Sequence, residues 1–271
     1  MERCGSTILK ELFGLESKTD HNRGTRLAIP DQLIGNGGIG VRHFKEEPKA
    51  NKFINDKQLL TGSEWSNALK LNINYAPLRG VPGVGGNVTG NVGTLCRRCG
   101  RETETVAHVL GKCPYNMLLI TRRHHNVKHW ISEKLRERDY DCLEEVFSID
   151  ADGSTRFADI LAFSKKDKKA LVIDPTVRYE TNDPNQAEKV DIEKKGIYEK
   201  CIPFFKEKFR EEFGEREYRV MGLWFGARGT LPRLTVDFAR EMGFYSTGLH
   251  NLAESIILDS LGILHHHIYG A

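Results

Sequence analysis

The chain has 271 residues, 39% of them hydrophobic, and a net charge of +3, enough for one large domain or two small ones with a full core. No apolar run approaches the roughly 20 residues of a membrane span, and Met1-Glu2-Arg3-Cys4-Gly5 opens no signal-peptide core, so a soluble intracellular chain without a membrane partner is expected. So small a net charge does not by itself indicate a nucleic-acid partner, and its distribution matters more.

Residues 1–58 read as an irregular segment. Ile8 to Leu15 suits a short helix, and Gly35-Asn36-Gly37-Gly38-Ile39-Gly40 lacks the Lys-Ser/Thr that would complete a phosphate loop, so it reads as linker. Residues 59–93 form the next unit. Thr61-Gly62-Ser63-Glu64 starts a helix, with Trp65, Ala68, Leu69 and Leu71 on its apolar face. Pro77 to Gly93, rich in glycine and valine, reads as a flexible connector.

Residues 94–138 carry Cys96, Cys99, His108 and Cys113, a C-x2-C-x8-H-x4-C spacing. A tight turn lets the first two thiolates reach one ion, and His108 and Cys113 close a tetrahedron, leaving no open position. Structural zinc is therefore expected. The competing reading is buried cysteines beside a helical surface histidine. Between Cys96 and Arg138, ten Lys and Arg face four Glu, with His124, His125, His129 and Trp130 interleaved. The excess points to a nucleic-acid grip, with a solvated helix face as the alternative.

Residues 139–271 form the last unit. Asp159-Ile160-Leu161-Ala162-Phe163 and Ala170-Leu171-Val172-Ile173-Asp174 are strand-length apolar runs separated by a charged loop, the pattern of a β-hairpin. If Phe163 faces Ala170, Asp159 falls opposite Asp174. At roughly 5 Å two such carboxylates repel by about 3 kcal/mol at an effective dielectric near 20. A shared proton or a divalent cation, most simply Mg²⁺, would offset this. A register slip of one residue would instead send one acid to the other face. Ala187 to Phe213 reads as one or two helices broken near Pro203, Tyr218 to Phe225 as a third strand, and Thr235 to Met242 and Leu249 to Leu264 as closing helices. This order indicates an α/β or α+β layer.

The ordered set of the cysteine segment, Arg123-His124-His125-Asn126, Ala158-Asp159, Val172-Ile173-Asp174-Pro175-Thr176-Val177-Arg178-Tyr179-Glu180 and Gly226-Ala227-Arg228-Gly229-Thr230-Leu231-Pro232 resembles the C-terminal region of site-specific non-LTR retrotransposon proteins. The family carries a reverse transcriptase followed by a CCHC zinc knuckle and a restriction-like endonuclease. The resemblance covers roughly residues 60–271. It implies an α/β PD-(D/E)xK core of restriction-endonuclease type, preceded by a small zinc knuckle and a helical linker, and Mg²⁺-dependent nicking of target DNA in the nucleus to prime reverse transcription.

Carried over, the resemblance makes Asp159 and Asp174 the metal-binding acids and Lys194 or Lys195 the catalytic lysine. Arg97, Arg98, Arg122, Arg123, His125, Lys128 and Arg178 are the candidate nucleic-acid contacts. Ala158 stands where the family has proline, and Ile197 where it often has lysine. Nothing resembles the polymerase's paired aspartates, so a detached element end is expected, with the reverse transcriptase domain supplied elsewhere. Two functions follow from the resemblance: an endonuclease with a zinc-knuckle grip on DNA or element RNA, or a remnant that binds nucleic acid without cleaving it.

Overall fold

A computed structural model of the chain describes residues 60–81, 93–181 and 183–270. The expectations for residues 1–58, including the glycine cluster at 35–40, and for the connector beyond residue 81 lie outside them.

The first helix, α1 (Gly62–Asn72), starts where the sequence signals it. Thr61 accepts from the Glu64 amide while Glu64 returns a bond to the Thr61 amide, a reciprocal cap. The segment after it is not free where it is described. Arg79 N–H donates to Glu104 Oε2 at 2.7 Å and Gly80 N–H to Glu104 O at 3.2 Å, so the start of the expected connector is hydrogen-bonded to the cysteine segment. That segment contributes α2 (Val106–Gly111), capped by Thr105, and leads into α3 (Met117–Arg136).

Four strands follow as one sheet in the order β1 (Tyr140–Ile149), β2 (Thr155–Ser164), β3 (Lys169–Arg178), β4 (Glu217–Gly226). The first two pairings are antiparallel and β3–β4 is parallel. The parallel pair requires a crossover, supplied by α4 (Gln186–Tyr198), α5 (Ile202–Lys208) and α6 (Arg210–Phe213). Two helices close the chain, α7 (Arg233–Glu241) and α8 (Ser246–Tyr269). This is a mixed α/β architecture.

Alternation along β2 and β3 divides the core between the two faces of the sheet. Ile160, Ala162, Leu171 and Ile173 pack with Val127, Ile131 and Leu135 of α3 and with α7 and α8. Leu161, Phe163, Ala170 and Val172 pack instead on Tyr198, Cys201, Phe205 and Phe209 of the crossover. A third cluster joins Leu71, Leu78, Val109 and Leu110 to Ala227 and Ile263, so α1, α2 and the end of α8 share one core.

Strand β1 was not among the predicted elements. Its outer edge is fringed with charge, as edge strands commonly are, and Glu144-Glu145 interrupts the apolar pattern.

Candidate active site and metal centre

The β2–β3 pairing runs Phe163↔Ala170, Ala162↔Leu171, Leu161↔Val172 and Ile160↔Ile173, which excludes the one-residue slip over those pairs. Continued by one step it would set Asp159 against Asp174, but the ladder stops short. On the β1 side, Glu144↔Ile160 and Val146↔Ala158 are paired while Glu145 and Asp159 between them are not. Glu145 has a left-handed φ of 53°. Such an irregularity re-aims side chains beside it, and Asp159 turns toward α3, where His124 Nε2 lies 3.3 Å from its Oδ1.

Asp174 is held from the other side of the sheet. Thr176 Oγ1 donates to its Oδ1 at 3.2 Å, and Lys194 Nζ of α4 lies 3.1 Å from the same oxygen. The register partner of Asp174 on β4 is Gly222. A Cβ there would come within 2.8 Å of both Asp191 Cα and Lys194 Cβ, so the missing side chain is what admits α4 this close. Asp191 fixes the approach by accepting from Gly222 N–H at 2.9 Å and Lys195 Nζ at 2.6 Å. Lys194 is therefore the lysine at the acid, and Lys195 is part of the helix anchor.

Asp159, Asp174, Lys194, His124, Thr121 and Thr176 line one open pocket of about 330 Å³. Burial, and next the charge of Asp159, raise the Asp174 pKa above its ordinary value, with Lys194 opposing. The hydrogen bond to Asp159 raises His124 against the effect of burial. Each acid thus has a basic neighbour, but at Asp174 burial and the charge of Asp159 still outweigh Lys194.

Cys96, Cys99, His108 and Cys113 bring their ligand atoms within 4.8 Å of one another, and this Cys3His cluster can bind a metal such as zinc. Their chemistry fits the ion. His108 Nε2 faces Cys99 Sγ at 3.3 Å and its Nδ1 lies 3.5 Å from Glu102 Oε2, a carboxylate behind an imidazole ligand. Burial pushes the Cys113 thiol up to about 12, so at neutral pH a bound cation is needed to make it a thiolate. Among the described residues the ligand-type groups that converge this closely are this set and Cys96, Glu104 and His267. Asp159, Asp174 and His124 do not form a third such group.

Several of the expected nucleic-acid contacts already have partners within the protein, and two of them, Arg123 and Lys128, are buried. Arg123 is fully buried, donating to Ser260 Oγ and Leu110 O, each at 2.7 Å, so it ties α3 to α2 and α8 and has no surface to offer a phosphate. Lys128 is also buried, paired with Glu145. Arg97 is bound by Glu104, Arg98 donates to His267 O, and Arg178 pairs with Glu193. Arg122 and His125 are exposed.

The Tyr179-Glu180 and Gly226 to Pro232 motifs also meet inside the fold. Arg228 Nε donates to Glu180 Oε2 at 3.0 Å with both side chains about 1% exposed, and Arg228 lies over the Tyr179 ring. A Cβ at Gly226 would overlap Glu180 Oε1 at 2.1 Å.

Sequence reasoning did not assign His124 to the pocket. It interrupts the stripe Ile120, His124, Val127 and Ile131 at helical spacing, and a polar residue in such a stripe is the signal available.

No protein-family model matches the chain. It is 27% identical over 194 residues to the Retrovirus-related Pol polyprotein from type-1 retrotransposable element R2 of Popillia japonica. The match covers 71% of this chain and 38% of that protein, so the chain spans well under half the length of the relative it matches. This similarity supports an origin in a non-LTR retrotransposon polyprotein.

Proposed function

We propose that the chain is the C-terminal part of such a polyprotein and acts as a metal-dependent DNA endonuclease. In this reading residues 139–271 are a restriction-endonuclease-like PD-(D/E)xK core, and the Cys3His segment is a structural zinc knuckle that grips target DNA or element RNA. The nick primes reverse transcription in the nucleus. The observation that carries the reading is Lys194 seated on Asp174 in a pocket that Asp159 also lines.

The oxygen donors of Asp159 and Asp174 suit a hard cation. Mg²⁺ held there would activate water and neutralise charge at the scissile phosphate. The protein's own groups have distinct tasks. Thr176 orients Asp174, Gly222 and Asp191 position α4, and Lys194 lies where it can pass from the carboxylate to a phosphate oxygen. His124 approaches from α3 and can hold a proton near Asp159.

A second reading, nucleic-acid binding without cleavage, is favoured by one observation: His124 and Lys194 already occupy the two acids. Incubating supercoiled plasmid with the zinc-loaded chain, with and without Mg²⁺, separates the two. Mg²⁺-dependent nicks support the nuclease. DNA binding without nicks at any metal concentration supports the alternative.

A further inference from the structure

His267, in the last turn of α8, is fully buried against the cysteine cluster. Its Nδ1 lies 3.0 Å from Asn116 Nδ2, and its Nε2 lies 3.1 Å from Glu104 Oε1 and 3.6 Å from Cys96 Sγ. The proton can be placed from these partners. Asn116 Nδ2 also donates to Val109 O at 3.0 Å, and a carbonyl only accepts. That orients the amide, so Nδ1 of His267 accepts and the ring proton resides on Nε2. An N–H cannot ligate a metal. Although Cys96, Glu104 and His267 converge, they are therefore no second ion site.

The rest of the turn is clamped by the same segment. Arg98 Nε donates to His267 O at 2.7 Å, and the Arg98 guanidinium lies 4.8 Å from the centre of the Tyr115 ring. Tyr115 stacks on His266, with ring centres also 4.8 Å apart. Glu104, which accepts from His267, accepts as well from Arg97 and from the Arg79 amide. The end of the chain, the loop after α1 and the cysteine turn thus meet at one buried carboxylate.

We propose that the last turn of α8 forms the outer shell of the metal site, with His267 Nε2–H shared between Glu104 and the Cys96 thiolate. Three thiolates on a divalent ion leave a net negative charge, and an N–H directed at one sulfur lowers its cost in a buried setting. His267 is a positioning residue. Because the bond joins metal to helix, metal binding and docking of the end of α8 are reciprocally linked. The inference rests on the Cys3His cluster binding metal and is independent of the nuclease reading.

The test uses the full chain and Zn²⁺ in competition with a chromophoric chelator. His267→Phe should weaken zinc binding about 10- to 100-fold, the usual effect of removing such a partner. His267→Gln, which retains an N–H donor, should recover part of the loss. In the unmutated chain, removing zinc should speed amide exchange at residues 265–269, a readout that stands if His267→Phe does not fold. Unchanged zinc affinity in a folded His267→Phe, or exchange at 265–269 indifferent to zinc, overturns the proposal. So does a change of coordination number in the Co²⁺ spectrum of His267→Phe, which would make His267 a ligand. A wild-type chain that binds no zinc overturns the metal reading beneath it instead.

Discussion

Asp174 on β3 and Gly222 on β4 are register partners, and the bare backbone at Gly222 lets α4 lay Lys194 on the carboxylate. Gly222→Ala would set a methyl 2.8 Å from the Asp191 backbone, so α4 must move. We expect a destabilisation of roughly 1–3 kcal/mol, typical of overpacking. A loss of nicking of about 100-fold is expected as well, since displacements near 1 Å have that effect. Thermal unfolding and single-turnover nicking, measured together, check both.

The adjacent lysines should separate cleanly. Lys194→Ala should lower the nicking rate on the order of 100-fold, the scale of losing one charge-stabilising donor, with DNA binding retained. Lys195→Ala removes a partly exposed pair with Asp191 and should cost about 0.5 kcal/mol of stability, with little change in rate. Rate and binding are measured on both variants.

His124 makes stability depend on pH. Its hydrogen bond to Asp159 raises its pKa above the ordinary 6.5, so between the two values the folded chain holds a proton that the unfolded chain has released. The stabilisation is fully present below pH 6.5 and is lost as pH rises through the folded value. Asp174, raised from 3.8 chiefly by burial, has the same sign at lower pH. Melting curves from pH 5 to 9 should show the His124 slope flattened in His124→Gln.

Arg122 and Arg123 are neighbours in sequence with opposite fates. Arg123→Ala leaves Ser260 and Leu110 O without their donor and a void among α2, α3 and α8, so a destabilisation of about 3 kcal/mol is expected. Exposed Arg122→Ala should leave melting unchanged and reduce the salt slope of DNA binding by about 1. Calorimetry and binding at several salt concentrations distinguish them.

Much of the fold was legible because its signals are local. Thr61 and Glu64 cap α1 as their spacing predicts, and the apolar runs around Leu161 and Val172 fix the hairpin pairing. The convergence of Cys96, Cys99, His108 and Cys113 was legible for the same reason. What escaped depends on partners distant in sequence. Counting basic residues cannot show that Arg123 faces Ser260, 137 positions away, or that Lys128 is spent on Glu145. Strict alternation does not anticipate the irregularity at Glu145 that turns Asp159 toward His124. Nor does any pattern connect His267 to Cys96, 171 positions earlier.

The most direct test of the pocket is nicking of supercoiled plasmid by the zinc-loaded chain in Mg²⁺, beside Asp159→Ala and Asp174→Ala at matched DNA occupancy. Mg²⁺-dependent nicks are expected from the unmutated chain and none above background from either variant. Equal nicking by all three, or no nicking by the unmutated chain on DNA that it binds, would contradict this.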